Sequence, residues 1–491
     1  MEAIMIGGVA TKTVPIGIVG GTAFGRYPKI SSEQTWNMIV SDDWLVDFAG
    51  YRSVLTIKSG QAQGRGLFNS AKTGQMIAVI DNGVYVLTKS RDRSSPLAFT
   101  KVGNLETFTG DVFIDENDAN GANPDGGVQI ALCDKKNIYI YDTATSTLTK
   151  ITTDFVPGYV QFQDGYFIAP AVGTNTWRLS VLNDGTSWPA TDPDSGATNV
   201  GELLTKPDNT LACVRVPGKA GVLLVIGSIV TEVYTDVGAQ LFPYQRSSWL
   251  NIDYGCLNPA TIAASDQFVI WLGVNEKSGP VILYTDGNQV QQISNDGLNY
   301  LFQNLTNPTD CYGFLFKQDG HLIYQFTFPD DNISFIYDFN TQLFFNVSDE
   351  NQNYHIAKRA VYFDDSFYFI SDRTGQIYEY STKYSDLDGE ICPRIRIPKN
   401  IRFGSQPFNV NNFNFVMEMG DTSNQQFVDL AFSYNGGRDF GSYMRYHCNE
   451  LGNARNIIQF WQVGYTNDLV PQLRFYSTGR FVVSNGEMSI Q

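Results

Sequence analysis

Histidine is nearly missing from this sequence, helical periodicity is almost absent, and basic charge is short. Each shortage removes a class of function. The three histidines, His321, His355 and His447, stand far apart with no nucleophile motif around them, so neither a Ser-His-Asp nor a Cys-His arrangement is expected. His447 adjoins Cys448, but neighbours on a strand point to opposite faces and make a poor ligand pair. The six cysteines (Cys133, Cys213, Cys256, Cys311, Cys392, Cys448) are scattered singly, without the close spacing that metal or redox motifs need. Buried thiols are expected, in keeping with assembly in a reducing cytoplasm. Fifty acidic residues against 34 basic ones give a formal charge of −16, the wrong sign for a surface that holds nucleic acid by its phosphates. Contact with DNA that slides past without sticking is left open. No apolar run reaches the roughly 18 to 20 residues of a membrane span, so none is expected. The first residues, Met1-Glu2-Ala3-Ile4-Met5, lack the basic start of a signal peptide, and export by that route is not expected.

Aromatic residues and glycine are plentiful. Aromatics make up 13% of the 491 residues and there are 45 glycines, a mixture that suits strands joined by tight turns. Period-2 stretches recur along the chain, each followed by Gly, Asn or Asp. Gln75–Ile80, the turn Asp81-Asn82-Gly83 and Val84–Leu87 spell a hairpin. The same phrase returns at 128–141, 159–169, 268–284, 314–337 and 361–378. Strands ending Leu283-Tyr284-Thr285-Asp286 and Ile336-Tyr337-Asp338 lie about fifty residues apart, the length of one four-stranded propeller blade. A single blade cannot bury both faces of its sheet, so blades must stack around an axis.

The fold class expected is therefore all-β, a β-propeller of about six or seven irregular blades followed by a C-terminal β-sandwich; a set of unrelated sandwiches is the competing reading. The division expected is 1–58 as an extended N-terminal arm with a first strand into the propeller, 59–387 as the propeller, and 388–491 as the sandwich. The rhythm changes near Asp386–Glu390 and Cys392-Pro393, and short alternating strands follow at 413–419, 427–432, 473–475 and 481–483.

Most candidate chemistry fails on inspection. Gly17-Ile-Val-Gly20-Gly21-Thr-Ala-Phe-Gly25 looks like a dinucleotide loop, but Arg26-Tyr27-Pro28-Lys29 follows where a helix is required, so a glycine-rich arm is expected. Ser433–Phe440 is similar to the polar turn of an Asp-box hairpin, with Asn435 at the aspartate position, and is read as a hairpin. Glycoside cleavage needs two carboxylates across a sugar. The paired acids Asp42-Asp43, Asp192 with Asp194, Asp330-Asp331 and Asp364-Asp365 all sit among turn residues, where aspartate caps the backbone. The oxygen-rich run Asp115–Asp125 lacks the closing glutamate of an EF-hand and is read as a blade insertion. The triplets at Asn304, Asn332 and Asn346 matter only in secretion. No catalytic residue, metal or cofactor is expected, and an enzyme is not.

A set of short matches runs in order along the chain. Pro15, Gly17, Gly20 and Gly21 precede Trp36-Asn37-Met38, Ala49-Gly50-Tyr51-Arg52 and Gly64-Arg65-Gly66. Then come Ile226-Gly227-Ser228, Glu232-Val-Tyr234, Leu241-Phe-Pro-Tyr244 and Asp253-Tyr-Gly-Cys256. Together they resemble the tail accessory factor, or packaged-DNA stabilisation protein, of the short-tailed phages that infect Salmonella and their relatives. The loops 115–127 and 188–200 depart from that pattern. The resemblance implies a non-catalytic virion protein of the tail, a homo-hexamer assembled in the host cytoplasm as a nozzle or hub. Its implied partners are the adaptor (head-to-tail connector) ring, tail fibres or tailspikes, the tail needle, and double-stranded DNA that passes without sequence-specific binding. It would extend the DNA channel and retain the packaged genome, with the acidic excess expected along the channel wall. The alternative is a glycan-binding or glycan-cleaving β-propeller, to be known by an axial pocket with paired acids.

Overall fold

The computed structural model describes residues 4–6, 9–25, 33–90, 95–118, 127–191, 196, 198–420, 426–448 and 454–491. Strands dominate; among the described residues the one α-helix is Asp296–Gln303. Seven small antiparallel sheets follow one another, at residues 64–104, 113–151, 161–202, 210–252, 255–292, 312–346 and 357–381, and are numbered here as blades one to seven. Their tight turns use residues that tolerate positive φ. Asp81 (φ 50°), Asp164 with Gly165 (49° and 90°), Asp319 with Gly320 (47° and 88°) and Asp364 with Asp365 (46° and 64°) each reverse the chain between two strands.

A hydrophobic cluster fills every gap between successive blades. Val79 and Val86 of blade one meet Leu132 and Tyr139 of blade two, and Trp177 and Leu179 of blade three meet Leu223 and Tyr234 of blade four. The ring closes where Ile370 and Ile377 of blade seven pack on Ala78 and Leu87 of blade one. Blade seven takes its fourth strand from far upstream: Gly50–Gln61 pairs antiparallel with Thr374–Ser381, setting Tyr51 opposite Tyr380. Tyr51 is buried edge-on against Phe369, Tyr378 and Tyr380. The closure is thus a hydrogen-bonded ladder with an aromatic core behind it.

The C-terminal residues form a two-sheet sandwich. One sheet runs in the order Val9–Ile16, Phe481–Ile490, Phe408–Met419, Arg455–Thr466. The facing strands are Arg394–Ile397, Val470–Tyr476, Phe427–Ser433 and Met444–His447. Phe413, Phe415 and Met417 from the first sheet interdigitate with Leu430, Leu473 and Phe475 from the second. The short strand Gln34–Trp36 stitches this second sheet to blade six, parallel to Leu343–Asn346 on one side and antiparallel to Arg394–Ile397 on the other. The stretch 1–58 therefore supplies strands to both the sandwich and the propeller.

Candidate functional site

The propeller axis is the first place to look for chemistry, because seven inner strands converge there. The axial cavity measures about 330 Å³. Its wall combines apolar Phe68, Ile114, Ile262 and Phe314 with polar groups that include Asp115, Gln161, Arg215 and Arg359. Asp115 is buried and already engaged. The Phe162 N–H donates to its Oδ2 at 2.7 Å, the Glu116 N–H donates to its Oδ1 at 3.0 Å, and the Gln161 amide donates to Oδ2 as well. Burial raises its pKa, opposed in part by Arg215. Among the described lining residues there is one carboxylate, and it ties blade two to blade three; glycoside hydrolysis needs two.

Where the inner strands begin, a charged cluster links blade seven to the segment ahead of blade two. Lys358 of blade seven reaches Asp111, just ahead of blade two, at 3.1 Å, and Lys135 approaches the same carboxylate at 3.3 Å. Burial alone would raise the Asp111 carboxyl, but the two lysines outweigh it and hold it well below the usual range.

The glycine-rich stretch holds a cation in place of a phosphate. It runs extended and wraps a cation: buried Arg396 donates from Nε to the Ile18 carbonyl at 2.5 Å and from Nη1 to the Gly21 carbonyl at 2.9 Å and Thr35 Oγ1 at 3.0 Å. Its Nη2 pairs with Glu33 at 2.7 Å. A Cβ on Gly20 would stand 2.6 Å from Arg396, and one on Gly21 would stand 2.7 Å from the Phe344 carbonyl. Glycine here admits a guanidinium and a neighbouring strand rather than a nucleotide.

The other matched motifs are also structural knots. Buried Arg65 donates to the carbonyls of Gly110, Asp81 and Thr107 at 2.7–2.9 Å, and its flanking glycines pass so close that a Cβ would lie 2.5 Å from the Ser371 carbonyl or 2.8 Å from that of Val112. Asp208 accepts the N–H groups of Ser228, Ile229 and Val230 at 2.8–3.1 Å, which fixes the turn after Gly227. Glu232 is buried and accepts from Leu204 N at 3.0 Å and Thr205 N at 2.5 Å, with the Tyr234 hydroxyl at 3.1 Å. Asn37, at φ 54°, donates to Ser348 and to the Pro393 carbonyl at 3.0 Å, joining blade six to the sandwich side.

The acid pairs named from sequence lie in separate turns. Asp42-Asp43 and Asp364-Asp365 are left-handed turn residues. Asp331 caps Thr306 N at 2.8 Å, and Asp330 accepts from the Asn307 amide at 2.8 Å. Asp192 and Asp194 lie outside the described residues, as do residues 119–125 of the oxygen-rich run. In the Ser433–Phe440 turn, Asn435 Oδ1 accepts from Arg438 N and Asp439 N at 3.2 and 3.1 Å. All six cysteines are buried and free. Burial pushes the Cys133, Cys256 and Cys448 thiols up to about 12, far from nucleophilic range. His355 is buried against Tyr380, its Nδ1 accepting from Ala357 N at 3.1 Å, and burial pushes its pKa down to about 3. His321 spans Asp338 at 2.8 Å and Ser41 at 3.1 Å. Among the described residues no group of three or more His, Cys, Asp or Glu converges as metal ligands, and no helix is long and apolar enough to cross a membrane.

What sequence reading missed is the outer face of the sandwich. Strand Arg455–Thr466 exposes Ile457, Trp461 and Tyr465, at 55%, 63% and 70%, while Ile458 and Phe460 point into the core. Large apolar groups stand on both faces here, so the alternation that marks a half-buried strand is blurred.

Among solved structures, the N-terminal domain of Nup159 is 11% identical, with 71% of this chain and 99% of that one covered and a TM-score of 0.41. The AfRom2 CNH domain is 10% identical, with 67% and 98% covered and a TM-score of 0.38. An exo-β-1,3-galactanase from Phanerochaete chrysosporium is 7% identical, with 76% and 95% covered and a TM-score of 0.29. No curated protein matches. A family model described as Bacteriophage P22 Gp10, beta-propeller, matches residues 125–384, which takes in blades three to six whole and most of blades two and seven. With more than half of the sequence matched and seven blades closed by an N-terminal strand, the chain belongs to this phage structural family, the P22 Gp10 β-propellers (Phage_stabilise).

Proposed function

We propose that this chain is the tail nozzle or hub of a short-tailed phage: a hexameric ring below the portal and adaptor that extends the DNA channel, retains the packaged genome and anchors fibres or spikes and the tail needle. The family match across the blades carries this reading. In it, residues 59–387 act as the propeller unit, 388–491 as the sandwich, and 1–58 as the arm that ties the two, with assembly in the host cytoplasm. The propeller axis supports a channel built between subunits. A cavity of about 330 Å³ has no room for a duplex whose major groove alone is roughly 12 Å wide. An acidic wall around such a channel would repel phosphate and let the genome pass without binding. The glycan-cleaving alternative loses its support at the axis, where the one described carboxylate holds two blades together.

The test is genetic and physical. Particles assembled without this chain are expected to package DNA and then lose it, with retention restored by adding the purified protein. Full genome retention in its absence would contradict the reading.

A further inference from the structure

We propose that the strand Arg455–Thr466 is where one copy of this chain meets a second copy. Three observations converge on it. From Ile457 to Tyr465 the strand pairs through one edge, with Phe408–Met419, and no second strand is paired to its other edge among the described residues. An open edge of this length is a template for association unless it is blunted. Outward from the same strand stand Ile457, Trp461 and Tyr465, each more than half exposed. Gln462 (φ 57°) and Gly464 (φ 124°) form an irregularity at which Val463 turns into the core while Trp461 and Tyr465 stay exposed. Tyr434, also exposed, donates its hydroxyl to the Val463 carbonyl at 2.5 Å and extends the patch. Tryptophan and tyrosine are the side chains that dominate interface cores.

Charge selects the occupant. Residues 59–387 contain 36 acidic and 20 basic residues, whereas 388–491 contain nine of each. The whole excess of 16 negative charges therefore lies in the blade-bearing stretch. Two copies meeting through their propellers would oppose like fields, whereas copies meeting through their sandwiches would not. A neutral, aromatic, edge-open surface on an otherwise acidic protein fits a second copy of itself. Arg455 and Glu418, on this strand and its neighbour, stand 3.7 Å apart and cancel locally.

This inference rests on the ring reading above, and the experiment separates the two. The mass distribution of the full chain is measured by native mass spectrometry and sedimentation, alone and with portal–adaptor rings, for the wild type, Trp461→Glu and Tyr465→Ser. Trp461→Glu is expected to weaken self-association roughly thirtyfold while its thermal unfolding stays unchanged. Added salt is expected to strengthen wild-type association by screening the propellers. Wild-type assembly with both variants assembling equally well would overturn this surface and leave the tail reading standing. A wild type that is monomeric alone and also ignores the rings would overturn the tail reading itself. If Trp461→Glu fails to fold, Tyr465→Ser carries the same expectation, and unchanged association there would overturn the proposal.

Discussion

The blades and the sandwich handle their outer strands differently. Several outermost strands of the propeller are short or charged: Val200–Glu202 and Val290–Gln292 have three residues each, Leu97–Asn104 and Thr147–Ile151 each carry an outward lysine, and the longer Tyr244–Ile252 of blade four carries Arg246 along with its exposed Trp249. Such features blunt an edge against unwanted pairing. The sandwich edge Arg455–Thr466 is twelve residues long and shows solvent an isoleucine, a tryptophan and a tyrosine. The two regions also differ in charge, one acidic and one balanced. The lesson is that a single chain can blunt several of its strand edges and leave one long edge open.

The stitching between the two regions offers the strongest way to break the comparison. Arg396 holds the glycine-rich segment on the sandwich side, and Tyr51 seals the seventh blade. Arg396→Ala leaves Glu33 and the carbonyls of Ile18 and Gly21 without their cation, and a loss of about 3–5 kcal/mol is expected by urea unfolding. Tyr51→Ala opens a cavity among Phe369, Tyr378 and Tyr380 and is expected to cost about 3–5 kcal/mol as well.

Acid should act on the propeller side through His355. Folded His355 resists protonation down to about 3, while in the unfolded chain it protonates near 6.5. Unfolding therefore takes up a proton between those values, and stability falls as the pH drops from about 6.5 towards 3. The expected loss by pH 5 is about 2 kcal/mol, and His355→Phe should remove that part of the slope in denaturation curves measured across the window.

The smallest effect on folding, and the sharpest on the comparison, belongs to the exposed tryptophans. Trp461→Ser on the sandwich edge and Trp249→Ser on the outer strand of blade four should each change unfolding free energy by less than about 0.5 kcal/mol. Sedimentation should then show weakened association for the first and wild-type association for the second. Equal effects would erase the distinction drawn between the two edges.

The hairpin rhythm was legible in the sequence because its signals are local. Gln75–Ile80 appears as read and its partner strand begins at Gly83, one residue before the Val84 expected, with Asp81 in the left-handed turn conformation the motif calls for. The seventh blade is completed by Gly50–Gln61 pairing with Thr374–Ser381, a partnership across more than three hundred residues that no local pattern encodes. The glycines at 20, 21, 64 and 66 were visible, but their purpose depends on Arg396, Phe344, Ser371 and Val112, all distant in sequence. The exposed stripe on Arg455–Thr466 went unread for another reason. Its apolar residues occupy both faces, so composition could not say which of them would be left outside the core.

The most direct test of the tail reading is the mass of the purified chain in native conditions, alone and after mixing with portal–adaptor rings from a short-tailed phage. A hexamer, or six copies recruited to each ring, is the result expected. A monomer at every concentration that leaves the rings bare would contradict it.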